Sequence, residues 1–405
     1  MNLLWPNMTF NMAQDNLVKV QDASKTSVHK NTIRENTVTA TFVERTPSEI
    51  RFFEDAQKIE VDHTDVDLTE AAVNEVAEIF QTPLTGSFNW DYHINEDRIK
   101  KLYNLGKELN WNADMDLDWT KPIGSAPYEV RAFMSGFAEY QPFMDMTQEQ
   151  REEFLTHSEA WTDSQFLHGE QGALLVASQL VSCAPTYNAK LYAASQTFDE
   201  ARHVETFNRF LQTKAGIMYP IDGALKNIID KILTDERWDL KFIGMQVIIE
   251  GLALAAFTTT KEYVDPNGLK KDMLELIIRD EARHVAFGIH YLAEYVQTLS
   301  EEEKEERAEF AFQACLVSRE RLVPTAVFRH FGWDEEEARQ VFLEGGGMEH
   351  FRRLLFQRVI PNLRRIGLLT EKIRPKFEEL GILEFENLPD DADIDWAELS
   401  KPLYE

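Results

Sequence analysis

Asp199-Glu200-Ala201-Arg202-His203 is repeated letter for letter as Asp280-Glu281-Ala282-Arg283-His284. Each copy follows a glutamate set in an apolar stretch: Glu170 stands 30 positions before Glu200, and Glu250 stands 31 before Glu281. On an α-helix, positions i and i+3 share a face about 5–6 Å apart. Glu200 and His203 therefore point the same way, as do Glu281 and His284, and each pair offers one oxygen and one nitrogen. With Glu170 and Glu250 from partner helices, the set becomes four carboxylates and two imidazoles. That is the donor set of a carboxylate-bridged metal pair held inside a bundle of four helices.

The sequence around the repeat supports four long helices. Thr147 opens a Thr-x-x-Gln capping box, and Thr162 is placed to cap a second helix. Apolar residues then recur at helical spacing to Cys183, and Pro185 marks the break. The spacing predicts a second long helix from Leu191 to about Lys214, a short one over 224–234, a third from Asp239 to Val264 and a fourth from Lys270 to Leu299. Asp265-Pro266-Asn267-Gly268 is a strong turn between the last two. Further helices are expected over 301–321, 334–344, 348–366 and 371–380. The expected division is a loose arm over 1–45, a cap of mixed helix and loop over 46–146, the bundle over 147–300 and a helical extension over 301–405. A helical pattern runs from Leu68 to Phe80 within the cap, and Trp90, Tyr92, Trp111 and Trp119 follow it without a clear period.

The chemistry follows from residue type. A glutamate inside Val247-Ile248-Ile249-Glu250-Gly251-Leu252-Ala253-Leu254 is costly to bury alone. A dication removes that cost, and Gly169 and Gly251 beside the glutamates give room for a cluster or for close helix approach. Hard carboxylates with one imidazole per ion suit iron or manganese better than zinc or copper. Two iron ions are expected, with a manganese–iron pair as the alternative. Ligating imidazoles give their second N–H to a carboxylate, so Asp280 is expected on His203 and Asp199 on His284, with Arg202 and Arg283 neutralising the aspartates. Phe166, Leu174, Ala177, Phe207, Ala253, Leu254, Phe257 and Ile277 are read as one turn from the ligands, where they either line an apolar substrate pocket or fill the bundle core, since periodicity does not separate the two. His168, His290, Tyr187 and Tyr192 are read as packing or surface residues.

Composition narrows the partners. The formal net charge of -28 repels phosphate, which disfavours nucleic acid and anionic membranes. Only Cys183 and Cys315 are present, too few and too scattered for a disulfide framework or a metal site. The first residues carry no basic segment followed by an apolar run, so no signal peptide is expected and a cytoplasmic setting is the simplest reading. No window is read as approaching the roughly 18 apolar residues of a membrane span.

The Asp-Glu-x-Arg-His repeat, with its upstream glutamates, resembles the ferritin-like di-iron carboxylate superfamily over about residues 147–300. Relatives include bacterial multicomponent monooxygenase hydroxylases, ribonucleotide reductase small subunits, acyl carrier protein desaturases and arylamine N-oxygenases. The resemblance implies an all-α bundle with extra terminal helices, and O2 activation at two irons held by Glu170, Glu200, His203, Glu250, Glu281 and His284. It also implies dimerisation through a helix face. Three positions depart from particular relatives. Phe207 stands where reductase small subunits carry a radical tyrosine, Leu254 where the hydroxylases carry a threonine, and Ile277 where some N-oxygenases add a third histidine.

The expected activity is hydroxylation, N-oxygenation or desaturation of a small apolar or aromatic substrate. Electrons would come from a separate ferredoxin or reductase, since the chain carries no flavin, nicotinamide or iron–sulfur motif. The rival readings are a reductase-type subunit that makes an oxidant for a partner protein, with Trp396 and Tyr404 as its tail, and an iron-storage or carrier protein without turnover. A metallohydrolase is a third and weaker rival.

Overall fold

Four long helices place the six candidate ligands in the middle of the molecule. The computed structural model describes residues 82, 86–88, 92, 97–320 and 323–393. The expected N-terminal arm, the helical pattern over 68–80, Trp90, Trp396 and Tyr404 lie outside them. The first described helices are α1 (Asp97–Glu108), α2 (Tyr128–Met134) and the single turn α3 (Gln141–Met144). The bundle begins with α4 (Gln148–Cys183). Its capping box is complete: the Gln150 N–H donates to the Thr147 hydroxyl, and the Gln150 side chain accepts from the Thr147 N–H. Thr162 starts no new helix. Its hydroxyl donates to Ser158 O one turn back (3.1 Å), a bond that a threonine inside a continuous helix can make.

Pro185 separates α4 from its antiparallel neighbour α5 (Tyr187–Phe210), which widens into a π-helical turn, Leu211–Ala215. After α6 (Gly223–Thr234), the chain runs through α7 (Trp238–Phe242), a second π-helical stretch (Ile243–Ile249) and α8 (Glu250–Tyr263). This whole rod, Trp238–Tyr263, is long and apolar enough to span a bilayer, against the expectation from sequence. Here it is the inner helix of the bundle, with 94% of its most apolar window buried. The turn after it lies against Gly124 (φ 82°), where a Cβ would sit 2.4 Å from the Gly268 Cα. That approach lets the Ile123 and Pro122 carbonyls accept from the first N–H groups of α9 (Leu269–Tyr295), at 3.0 and 2.9 Å.

The remaining elements are α10 (Glu301–Glu320), α11 (Thr325–His330), α12 (Glu335–Glu344), α13 (Gly346–Ile366) and α14 (Arg374–Glu379), with 3₁₀ turns after α9 and near the end. α13 lies along α8, and α1 lies across α5 and α9. The fold is the all-α, ferritin-like bundle, extended by helices at both ends. No strand occurs among the described residues. One apolar core surrounds the bundle. A second, aromatic one joins Phe137, Phe154 and Trp333 at the outer end of α4, with Phe154 and Trp333 stacked at 4.5 Å.

Candidate metal centre

Glu170 comes from α4, Glu200 and His203 from α5, Glu250 from α8, and Glu281 and His284 from α9; all are buried to within 5% exposure. The structure brings the six together as two overlapping groups. Glu170, Glu200, His203 and Glu281 form one; Glu200, Glu250, Glu281 and His284 form the other. Glu200 and Glu281 belong to both, which is the position of bridging carboxylates, while Glu170 and Glu250 sit at the two ends. The ring nitrogen facing the cluster is Nδ1 in both histidines. For His203 it lies 3.1 Å from Glu170, 3.3 Å from Glu200 and 3.1 Å from Glu281. For His284 it lies 3.1 Å from Glu200, 3.4 Å from Glu250 and 3.5 Å from Glu281.

The other nitrogen of each ring faces an aspartate of the opposite repeat. His203 Nε2 is 3.1 Å from Asp280 Oδ2, and His284 Nε2 is 3.3 Å from Asp199 Oδ2. Arg202 bridges both aspartates, donating to Asp199 at 2.6 Å and to Asp280 at 3.0 Å. Arg283 does the same, donating to Asp199 at 3.0 Å and to Asp280 more closely. The repeat thus builds a crossed square of two aspartates and two arginines, which fixes which nitrogen of each imidazole turns inward.

Two partners were not anticipated. The Trp111 indole N–H donates to Asp280 Oδ2 at 2.8 Å, from a segment that carried no periodic signal. The Gln196 amide donates to Glu200 and to Glu250, each at 3.0 Å, and accepts from Gln246 at 3.3 Å. Here a signal was available: Gln196 and Gln246 each stand four positions before a cluster glutamate.

The electrostatics test whether this cluster suits a metal pair. Burial pushes the Glu170 carboxyl well above its ordinary range, with Glu281 adding to the push. Burial, Glu200 and Glu281 do the same to Glu250. For Glu200 burial acts in the same direction but is overcome by the two nearby imidazoles, His284 first, and its carboxyl falls below that range. Although burial opposes it, the surrounding carboxylates push both imidazoles well above their usual value. Protons are therefore the only positive charge available to the four carboxylates from within the cluster. Glu200 Oε2, both oxygens of Glu281 and His284 Nδ1 are buried without a hydrogen-bond partner, and buried polar atoms of this kind need an explanation. Two divalent cations would balance the four charges and take up those atoms, so the donor set fits a metal pair.

Beside the cluster lies a cavity of about 60 Å³, bordered by Glu170, Glu250 and Glu281 and by Phe166, Ala253 and Phe257. Five other expected lining residues are not on its wall. Ala177, Phe207, Leu254 and Ile277 are packed into the core, and Leu174 is half-buried. For Leu174 and Leu254, each four positions after its glutamate, the reason is helical phase. At 100° per residue, i+3 and i+4 fall on opposite flanks of a ligand, and the cavity borders only the flank that carries Ala173 and Ala253, each three positions after its glutamate. Gly169 borders this cavity and has open space at its Cβ position, while Gly251 makes an ordinary contact with Val359, so neither mediates close helix packing.

A second cavity, of about 190 Å³, lies farther out along α4. The two share Trp161, Thr162 and Phe166 as a common wall. Phe166 stands edge-on to Phe257, ring centres 4.7 Å apart. His168 bonds the Tyr219 carbonyl at 2.9 Å, away from the cluster, and Tyr192 packs on Phe287 with ring centres 4.2 Å apart.

A family model described as p-aminobenzoate N-oxygenase AurF matches residues 94–367. No curated protein matches the chain. Among solved structures, a glycine-to-phenylalanine mutant of an R2-like ligand-binding oxidase with anaerobically reconstituted Mn/Fe cofactor is 17% identical, covering 68% of this chain and 95% of that one, with a TM-score of 0.40. A valine-to-isoleucine mutant of that oxidase is also 17% identical, covering 64% and 93%, with a TM-score of 0.38.

Proposed function

The chain belongs to the p-aminobenzoate N-oxygenase family, and from that premise we propose that this di-iron oxidoreductase transfers oxygen from O2 to the nitrogen of a small aromatic amine. One observation carries the reading. Four buried glutamates and two Nδ1-facing histidines surround a space in which several polar atoms have no partner. Glu170, Glu200, His203, Glu250, Glu281 and His284 would hold the ions, with Glu200 and Glu281 between them. When bound, two ferrous ions supply the electrons that O2 needs to react. For an amine the balance is ArNH2 + O2 + 2 e⁻ + 2 H⁺ → ArNHOH + H2O. A separate ferredoxin or reductase would replace those two electrons after each turnover.

The protein's part is positional. The Asp199–Arg202–Asp280–Arg283 square holds each imidazole in one tautomer and one orientation. Gln196 orients Glu200 and Glu250 through two hydrogen bonds. Phe166, Ala253 and Phe257 keep bulk water away and present an apolar approach to the amine. Phe207, in place of the radical tyrosine of reductase small subunits, favours direct oxygenation over an oxidant passed to a partner protein.

The test is anaerobic iron loading, metal analysis, and then an O2 pulse with a panel of arylamines. Two irons per chain and matched consumption of O2 and amine support the proposal. Two irons with slow oxidation and no amine consumed would favour a storage or carrier role. Glu200→Ala and His284→Ala should each bind fewer than two irons; retention of two by both would overturn the ligand assignment.

A further inference from the structure

Among the described residues, one group of side chains outside the metal centre gathers donor atoms of a metal-ligating kind. Glu153, His157 and His330 each offer one atom, and the three atoms lie within 4.8 Å of one another. Glu153 and His157 stand four positions apart on α4 and so share a face. His330 is the last residue of α11. The two imidazoles are stacked, with ring centres 4.3 Å apart and planes 23° from parallel.

His157 is held as a ligating histidine is held. Its Nδ1 meets the Tyr219 hydroxyl at 2.7 Å, which fixes the ring and leaves Nε2 as the atom for an ion. The ring is half-buried and stands edge-on to Phe331, centres 5.5 Å apart. Burial and the neighbouring His330 pull its pKa below the usual value, so it is neutral and able to bind a cation at neutral pH. Glu153 and His330 are exposed, and their side chains can turn without disturbing the core. Donors around a tetrahedral ion with bonds of about 2.0–2.1 Å stand roughly 3.3 Å apart. Closing the group onto an ion therefore takes a contraction of at most about 1.5 Å. Two nitrogens and one oxygen reverse the balance of the metal centre, where four carboxylates face two imidazoles. An imidazole-rich set with an open fourth position suits zinc, whereas the carboxylate-rich set suits iron or manganese.

We propose that Glu153, His157 and His330 hold a zinc ion at the outer end of α4, separate from the metal pair in the bundle, with its fourth position open to water. The ion ties α11 to α4 beside the aromatic core, where Phe331, next to His330, meets both His157 and Phe154, the latter with centres 5.2 Å apart. The site does not depend on the reaction assigned to the bundle.

The experiment starts from the full-length chain loaded anaerobically with ferrous iron. Zinc is added by equilibrium dialysis, and iron and zinc are counted separately. One zinc per chain should bind in addition to the iron already present. Glu153→Gln and His330→Gln alter only exposed side chains, so the fold should be kept. Each should weaken zinc binding about 100-fold or more, the most that losing an outer partner costs, with the iron content unchanged. Tyr219→Phe removes the hydroxyl on His157 Nδ1 and should weaken zinc about tenfold. Manganese, which favours oxygen donors, should not compete with the zinc. Zinc should also raise the Tm of the iron-loaded protein and leave that of His330→Gln unchanged. No zinc beyond the iron, or zinc bound with unchanged affinity by both Glu153→Gln and His330→Gln, would overturn the inference.

Discussion

Asp280 shows how much one side chain can organise. It is fully buried and receives hydrogen bonds from His203, Trp111, Arg202 and Arg283. Burial works against its charge, yet Arg283 and His203 hold its carboxyl well below the usual range. It therefore stays ionised, faces His203 Nε2 and leaves Nδ1 turned toward the cluster. Asp280→Asn preserves shape but removes the charge that fixes the tautomer. Metal affinity should fall about 10- to 100-fold, as is usual for an outer partner of a ligating histidine, with the fold retained. Competition with a chelator of known affinity measures this, and an unchanged affinity would mean that Asp280 serves packing alone. The aspartate–histidine pairs were legible because the repeat prints both partners side by side. Trp111 was not, because it comes from an aperiodic segment some 170 positions from Asp280.

At the scale of elements, the informative feature is the π-helical stretch Ile243–Ile249 just before Glu250. Wide turns of this kind are rare and recur at functional sites. This one carries Gln246, which reaches Gln196 and through it both Glu200 and Glu250. It is accommodated by Gly288 on α9, where a Cβ would lie 2.5 Å from the Gln246 Cβ. In an ordinary helix, glycine to alanine stabilises by roughly 0.5–1 kcal/mol. At position 288 the sign should reverse: Gly288→Ala should destabilise by about 1–3 kcal/mol through overpacking. Urea unfolding measures this, and a stabilised variant would show that the wide turn is not held by this contact. Sequence periodicity placed the helix here but not its extra width, since apolar residues fill every face of the stretch and no phase shift is visible. Continuity across Thr162 was missed for a related reason. A threonine suits a cap and an interior back-bond equally well, and only packing on both sides decides between them.

For the molecule as a whole, the cluster sets a tension between folding and charge. Four carboxylates lie at the centre of a chain whose formal net charge is already -28, and their mutual repulsion is met only by protons and the two imidazoles until cations arrive. Metal binding should therefore stabilise the fold by mass action. At free metal a hundredfold above Kd the gain is about 2.7 kcal/mol. Thermal melts with and without a strong chelator should show a lower Tm for the stripped protein, and adding ferrous iron anaerobically should restore it. Equal melting temperatures would mean that the ions do not bind at the core. The same burial explains the rod 238–263, whose apolar composition matches a membrane span but is used for the interior of the bundle.

The sequence by itself determined the four-helix architecture, the six clustered side chains and the crossing of each aspartate to the opposite histidine. The first two follow from spacing along single helices, which is local geometry repeated twice, and the third from the pairing of ligating imidazoles with carboxylates. Tertiary structure alone decided the rest. It showed that Nδ1 faces the cluster, that Trp111 and Gln196 join it, and that the cavity beside the cluster borders one flank of α4 and of α8. It also placed the larger cavity one wall further out. These depend on how helices distant in sequence are rotated and packed against one another, and a one-dimensional period does not record that rotation.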